Sequence, residues 1–261
     1  MREMIEWCGY KWESKMDGGR RIHPDQPWMW YCDKNATIDK SNVLHLKITE
    51  YHIDIQHWDG KTYSPTIATG IVRSVNPFRY GTFEAKIKLP KGFNLWPSFW
   101  LTGDKHWPPE IDILEAWSGE NDYFKWFIAQ PPYFCPSWRT TTNVHYNEIV
   151  DSEGSYIDGN YRKTSIGSRN IPWCKQKKDP TEEFIEYKCE WFPDSIKFYA
   201  NGKLVRKVGK DVAEKLVKDL PDQSFQMDVI FNLWCEDPET CKVQMDTEML
   251  VKDFTYTPYS R

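Results

Sequence analysis

Alternation of apolar and polar residues dominates the chain and predicts β-strands. In GTFEAKIKLP (residues 81–90) and FIEYKCEWF (residues 184–192), every second residue is apolar and the residues between are mainly charged. FQMDVIFNLW (residues 225–234) alternates in the same way, with Phe231 on the inward set and Asn232 on the outward set. Successive side chains of a strand point to opposite faces, so each segment fits a strand with one buried face.

Turn and helix signals complete the prediction of a mostly β chain. SIKFYANGKLVR (residues 195–206) carries Asn-Gly between two alternating runs, a strong signal for a type I′ hairpin. Only DVAEKLVKDL (residues 211–220) has a helical period. Residues 118–142 and 147–182 read as long irregular stretches, and the aromatic content of the first favours a functional loop. No repeat or linker interrupts the chain, so we predict a single catalytic domain over residues 1–261.

Composition excludes some partners and favours others. The 34 basic and 38 acidic residues are mixed along the chain, which argues against nucleic acid as a partner. No apolar run approaches the ~20 residues that span a bilayer, so we expect no membrane insertion. The cysteines form no metal-type CxxC pair, and Cys235 and Cys241 are close enough to suggest a loop disulfide. The 14 Trp, 14 Tyr and 13 Phe exceed what a core of this size needs, and amphipathic rings often line ligand sites.

The acidic segment WPPEIDILEAW (residues 107–117) raises a geometric question. Glu110 and Asp112 share one face of a strand, but strict alternation turns Glu115 to the other face. One extra residue accommodated around 113–114, a β-bulge, would bring Glu115 back to the face of the other two acids.

Three acids on one strand face have a chemical use. Cleavage of a glycosidic bond needs one protonated carboxyl to protonate the leaving oxygen and one ionised carboxyl to attack or to activate water. Neighbouring carboxylates raise one another's pKa and share protons, which keeps one of them protonated at neutral pH. Solvated acids on an exposed strand are the simpler interpretation. Acidic residues are depleted in strands and repel one another, however, so we predict that Glu110, Asp112 and Glu115 are catalytic.

Candidate sugar-binding residues surround the acids. Residues 95–101 are expected to pair antiparallel with residues 110–117, and alternation places Trp96 and Trp100 on one side. Aromatic planes pack well against sugar rings, although core packing is an equally good interpretation of any single tryptophan. In TTNVHYN, Asn143 and His145 alternate with Val144 and could face the same cleft. The predicted substrate-binding residues are Trp96, Trp100, Trp117, His145 and Asn232.

These segments together resemble glycoside hydrolase family 16, a family of retaining endo-glycanases. The resemblance covers most of the chain from about residue 27, through YGTFEAKIKLPKGFNLWPSFWLTG, EIDILE, FIEYKCEWFPDSIKFYANGKLV and MDVIFNLW. The six-residue acidic signature is similar to the bulged version that is typical of laminarinases and galactan-cleaving members. The resemblance implies an all-β fold, a β-jelly roll sandwich of two curved antiparallel sheets (concanavalin A-like) with a concave substrate cleft.

The resemblance also implies roles and a reaction. Glu110 would be the nucleophile, Glu115 the general acid/base, and Asp112 the residue that hydrogen-bonds the nucleophile and modulates its charge. The expected protein is a secreted or periplasmic monomer that cleaves internal β-linkages of a polysaccharide, a β-1,3-glucan or a galactan, with retention. A transglycosylase and a non-catalytic carbohydrate-binding protein on the same scaffold stay open as alternatives.

Two departures from the family pattern bear on cofactors. Ile185 stands where members usually carry His, and Lys252 stands where the last strand often carries an Asp associated with a structural calcium, with Asp253 one position later. The resemblance leaves a structural calcium possible, but this departure argues against it. We predict no cofactor and no metal.

Overall fold

Regular structure in this protein is almost entirely β, as the alternation predicts. The computed structural model describes residues 4–16, 20–22, 27–56, 60–92, 94–103, 107–117, 139–149, 161–166, 169–171, 178–218, 226–236 and 247–260. The strands are β1 Ile5–Trp7, β2 Tyr10–Glu13, β3 Met29–Tyr31, β4 Ala36–Ile38, β5 Leu44–Glu50, β6 Ile55–Gln56, β7 Thr62–Tyr63, β8 Ile67–Thr69, β9 Ile71–Ser74, β10 Gly81–Lys88, β11 Leu95–Gly103, β12 Glu110–Trp117, β13 Arg139–Ile149, β14 Tyr161–Ser165, β15 Arg169–Asn170, β16 Ile185–Phe192, β17 Ser195–Ala200, β18 Lys203–Val208, β19 Met227–Cys235 and β20 Glu248–Pro258. A 3-10 turn covers Asp33–Asn35, and the described α-helix, α1, is Lys210–Lys218. No helix within these ranges is long and apolar enough to cross a membrane.

The strands form two large sheets. The first, here called the cleft sheet, has the order β1-β2-β9-β19-β11-β12-β13-β14, with β15 also paired to β13. The second, the outer sheet, has the order β18-β17-β16-β10-β20-β5-β8-β3, with β4 also paired to β5. Strands β6 and β7 form a separate hairpin. The prediction of antiparallel sheets holds except at β3 and β8, which pair in parallel.

Aromatic rings fill the space between the two sheets. Phe99 of β11 and Phe231 of β19 stack with ring centroids 4.4 Å apart, and Phe254 of the outer sheet meets Phe231 edge-on at 5.7 Å. Trp7 and Trp12, from the β1–β2 hairpin, are buried against the same Phe231 ring. The inward residues of the cleft sheet are therefore committed to the core, which leaves the opposite face of that sheet for binding.

The predicted hairpin has the expected turn. Asn201 and Gly202 have φ angles of 47° and 70°, the positive values that a type I′ turn requires at both central positions. Arg206, on β18 beyond this turn, reaches the cleft sheet and donates to the backbone carbonyls of Thr142 at 3.0 Å and Ile166 at 3.2 Å. The hairpin thus ties the edge of the outer sheet to β13.

The two predicted irregular stretches are wrong in part. Residues 139–142 and 147–149 belong to the long strand β13, and β14 and β15 pair with it. Clean alternation is missing from the start of β13 because its polar residues are buried on both faces: Thr140, Thr141, Thr142 and Asn143. Residues 118–138 lie outside the described ranges. The helix begins one residue earlier than predicted and is described as far as Lys218.

Candidate active site

An extra residue in β12 decides where the acids point. Three steps along β12, from Asp112 to Glu115, lie opposite only two steps along β13, from Asn143 to Thr141. The register with β11 shifts at the same place, where Ile113 has no counterpart. The predicted β-bulge is confirmed, and it reverses the parity of the strand after Ile113.

The bulge places all three acids on one face of the cleft sheet. Their partners on β11 are alternate residues, which share a face. These cross-strand pairs are Glu110 with Thr102, Asp112 with Trp100, and Glu115 with Ser98. Because the intervening Phe99 and Leu101 are in the core, the acids lie on the face that points away from the outer sheet.

The three carboxyls lie close together, with Asp112 buried and the two glutamates partly buried. Asp112 is 2% exposed and lies between the two glutamates. Burial, and next the charge of Asp112, raise the pKa of Glu110 and of Glu115 well above the ordinary carboxyl range. The two glutamates therefore hold their protons to higher pH than an isolated carboxyl does. The site can hold a carboxylic acid and a carboxylate side by side at neutral pH.

Two rings flank Glu110. The Trp107 indole N–H donates to Oε2 of Glu110 at 2.8 Å, and Nε2 of His145 lies 3.5 Å from Oε1. The Trp107 and His145 rings are 6.0 Å apart and tilted by 42°. Trp107 is 49% exposed, and sequence reasoning missed it. The available signal was an indole three residues ahead of the first acid.

A second aromatic pair lies at the Glu115 end of the acids. Trp96 and Trp117 lie on the same face, with ring centroids 5.1 Å apart at 43°. Arg139 covers the Trp117 ring at 5.6 Å. The Trp96 indole lowers the pKa of Glu115, which partly offsets the effect of burial. Both tryptophans are only partly buried and lie on the cleft face, where a sugar ring could pack against them.

Trp100 and Asn232 interact with each other in the cleft floor. The Trp100 indole N–H donates to Oδ1 of Asn232 at 2.7 Å, and Asn232 is buried. Asn232 therefore lies on the predicted face, but its carbonyl oxygen already serves Trp100. Trp100 itself packs partly against the core.

Two places could be considered for a cation. Glu110, Asp112 and His145 offer ligand atoms within 4.8 Å of one another, a set that a metal ion could use. Carboxyls grouped in this way can share a proton instead, so the absence of a metal from the reaction stays a prediction. At the position considered for calcium, Oδ2 of Asp253 accepts a hydrogen bond from Nζ of Lys86 at 2.9 Å. Asp253 is thus engaged in an exposed ion pair, and the absence of a structural calcium stays a prediction.

Burial of the acids predicts a stability cost that depends on pH. The folded pKa of Glu115 lies above that of an unfolded carboxyl, so ionisation of Glu115 favours the unfolded state. The penalty is absent below about pH 4 and grows as pH rises toward the folded pKa. We expect Glu115→Gln to raise the free energy of unfolding at neutral pH by at least about 1 kcal/mol, since each pKa unit corresponds to about 1.4 kcal/mol.

Urea unfolding across pH checks this expectation. The gain in the free energy of unfolding of Glu115→Gln should disappear near pH 3.5, where the Glu115 carboxyl of the wild type is protonated in both the folded and the unfolded state. Glu190→Gln on the outer sheet is the control, because it should change the free energy of unfolding in the opposite direction. Burial opposes ionisation there, but hydrogen bonds from Tyr199 and Lys188 lower the pKa of Glu190 overall, so its loss should destabilise at neutral pH. A Glu115→Gln variant less stable than wild type at pH 7 would contradict the assignment of a buried, proton-sharing site.

Comparisons with known proteins agree with this arrangement. The model of Glycosyl hydrolases family 16 matches residues 24–250. A glucan endo-1,3-beta-glucosidase of Cryptopygus antarcticus is 22% identical over 203 residues, covering 72% of this chain and 64% of that protein. A galactan endo-beta-1,3-galactanase of Flammulina velutipes is 44% identical over 99 residues, covering 33% of this chain and 39% of that protein.

Solved structures show the same fold. The catalytic domain of an endo-1,3-beta-glucanase (laminarinase) from Thermotoga petrophila RKU-1 superposes with a TM-score of 0.60 at 20% identity, covering 99% of this chain and 95% of that domain. This likeness confirms the predicted jelly roll. The chain spans between 23% and 64% of the length of the curated relatives it matches. Since the family match extends over most of its residues, the chain belongs to glycosyl hydrolases family 16.

Proposed function

We propose that this protein is an endo-acting glycoside hydrolase that cleaves internal β-linkages of a polysaccharide with net retention. The observation that carries the proposal is the bulge in β12, which brings Glu115 to the face of Glu110 with Asp112 between them. A binding protein gains nothing from placing neighbouring carboxyls where burial costs stability, whereas a double displacement uses two of them, as nucleophile and as acid/base.

The first step uses both glutamates. Glu115, protonated, gives its proton to the glycosidic oxygen as the bond from that oxygen to the anomeric carbon breaks. The carboxylate of Glu110 attacks the anomeric carbon from the opposite face and forms a glycosyl ester, while the chain fragment leaves as an alcohol. Burial raises the pKa of Glu115, which suits a group that must hold a proton near neutral pH.

The second step returns the enzyme to its starting state. The Glu115 carboxylate takes a proton from water, and the oxygen of that water attacks the anomeric carbon. The ester bond to Glu110 breaks, Glu110 leaves as a carboxylate, and Glu115 is protonated again. Two inversions give net retention. Asp112, adjacent to both glutamates, adjusts how the protons are distributed between the steps.

The substrate we propose is a β-1,3-linked glucan or galactan. The supporting facts are the activities of the two relatives described above, one acting on a 1,3-β-glucan and one on a β-1,3-galactan. Trp96 and Trp117 offer aromatic surface on the cleft face for the sugar chain.

We propose that the protein acts outside the cytoplasm, as predicted from the resemblance. Polysaccharides do not cross membranes unaided, so the enzyme has to meet them after export. Cys235 is disulfide-bonded, and structural disulfides persist in oxidising compartments. Its partner lies outside the described ranges, as does Cys241 of the predicted pair.

A panel of polysaccharides tests the proposed function. Laminarin, mixed-linkage glucan, agarose and carrageenan are incubated with the protein, and the released oligosaccharides are sized over time. An endo-acting hydrolase shortens the chains early and produces a ladder of oligosaccharides. Binding to a glycan without any release would support the carbohydrate-binding alternative. Longer products that form only with an added acceptor oligosaccharide would support the transglycosylase.

Trp107→Phe is expected to change the pH profile of the enzyme. The substitution keeps a ring but removes the N–H that serves Oε2 of Glu110. This hydrogen bond lowers the pKa of Glu110 against the effect of burial, so its loss raises that pKa. The acidic limb of kcat/KM should move to higher pH, and kcat/KM at pH 6 should fall about tenfold. Trp117→Phe, which keeps a ring remote from Glu110, should alter KM without moving this limb. Equal shifts in both variants would contradict the role given to Trp107.

A further inference from the structure

The Asn143 side chain has one orientation that satisfies its neighbours. Oδ1 of Asn143 accepts the backbone N–H of Val144 at 2.9 Å, so the amide NH₂ is the group that faces His145, with Nδ2 to Nε2 at 3.0 Å. The reversed amide would place two donors against each other at Val144. An NH₂ group only donates, so Nε2 of His145 has to accept and carries a lone pair. The ring proton of neutral His145 is then on Nδ1.

This tautomer has a consequence for the acids. Nε2 of His145 is also 3.4 Å from Oδ2 of Asp112 and 3.5 Å from Oε1 of Glu110. A lone pair facing two carboxyl oxygens is unfavourable unless one of them carries a proton. Oδ2 of Asp112 is buried and has no hydrogen-bond partner within the described part of the chain. Nε2 has a single lone pair, which the Asn143 N–H already occupies, so in this tautomer His145 donates no proton to either carboxyl.

We propose that Asn143 is a positioning residue that holds His145 as the Nδ1–H tautomer, so that Nε2 presents no proton to Glu110 or Asp112. Nε2 of His145 then accepts from Asn143 and does not donate to Glu110. Glu110 receives its hydrogen bond from the Trp107 N–H instead, at Oε2. The catalytic part of this inference rests on the proposed function, whereas the tautomer does not.

Few titratable groups among the described residues surround the His145 ring. Glu110 and Asp112 face it from β12, and Trp107 packs beside it. On the other side, β14 pairs with His145 at Ser165, a position that does not titrate in this range. The two carboxyls are therefore the titratable neighbours among the described residues.

The test is the nitrogen spectrum of His145 in the resting, full-length protein. Long-range ¹H–¹⁵N correlations distinguish a protonated ring nitrogen from one with a lone pair, and His145→Gln identifies the signals of this ring among the 6 histidines. At pH 7 we expect Nδ1 to be protonated and Nε2 to be bare. Asn143→Asp replaces the amide NH₂ that faces His145 with a carboxylate oxygen, which only accepts, so Nε2 of His145 should become protonated. Thr142→Val is the matched control, because that buried hydroxyl has no hydrogen-bond partner in the described structure, and it should leave the spectrum unchanged.

Activity gives the second readout. Asn143→Asp should lower kcat/KM roughly tenfold or more, the scale seen when an orienting partner of a functional histidine is lost. A protonated Nε2 in the wild type, or an unchanged spectrum in Asn143→Asp, would overturn the proposal. Unchanged kcat/KM in a variant whose tautomer has switched would overturn its catalytic part. A wild-type protein that cleaves no glycan would refute the proposed function, but the spectrum would still decide the tautomer.

Discussion

Glu110→Gln is expected to abolish turnover of the polysaccharide, with kcat/KM reduced by at least ~10⁴-fold. The amide has nearly the shape of the carboxyl, so the cleft and its aromatic surfaces stay intact. It cannot form the glycosyl ester, because a neutral amide is a poor nucleophile towards the anomeric carbon. Binding should be retained, and calorimetry with an oligosaccharide from the glycan panel should give a Kd within about threefold of wild type.

A matched control separates chemistry from loss of a buried charge. Glu84, in β10 of the outer sheet, is also a partly buried strand carboxyl whose pKa is raised, by burial and then by Glu186. Glu84→Gln should leave turnover unchanged. If Glu110→Gln retained more than about 1% of wild-type turnover, another group would have to be the nucleophile.

Glu115→Ala should show a loss that depends on the leaving group. A polysaccharide leaves as an unactivated alcohol and needs the proton of Glu115, so its turnover should fall by about 10²–10⁴-fold. An aryl β-glycoside with an acidic phenol needs no such proton, so formation of the glycosyl-enzyme should stay close to the wild-type rate. Hydrolysis of that intermediate should be slow because the base is missing, and azide should restore turnover by giving a β-glycosyl azide.

The pH profile provides a second check on Glu115. Burial raises the pKa of Glu115, so the wild-type enzyme should lose activity at high pH as this acid ionises. The aryl glycoside reaction of Glu115→Ala should lack that basic limb. A basic limb that survives in the variant, or an equal loss on both substrates, would show that a different group delivers the proton.

The strands and the face that carries the acids could be predicted because both follow from the alternation of side chains between the two faces of a strand. Alternation identified β10 and β16 as strands, and in the structure these two strands pair in the outer sheet. The bulge was inferred because three acids on one strand make chemical sense only if Glu115 turns back, and the register shift at Ile113 confirms it. Positive φ at Asn201 followed from the turn type. Each of these conclusions needed only residues close together in the sequence.

Other features depend on contacts between distant segments. The first part of β13 was placed in an irregular stretch because Thr140, Thr141 and Thr142 are consecutive buried polar residues that do not alternate with apolar ones. The parallel pairing of β3 with β8 involves segments of 3 residues each, too short to carry a pairing signal. The hydrogen bonds of Trp107 and Asn143 depend on atomic orientation, which no residue pattern specifies.

The fate of Glu110 during turnover tests the central claim most directly. Glu115→Ala is mixed with the aryl β-glycoside of the oligosaccharide that the glycan panel identifies, and the protein is quenched, digested and analysed by mass spectrometry. We predict that one glycosyl unit is esterified to the peptide that contains Glu110. An adduct on another carboxyl, or no adduct while the phenol is released and the sugar appears with inverted configuration, would contradict the account.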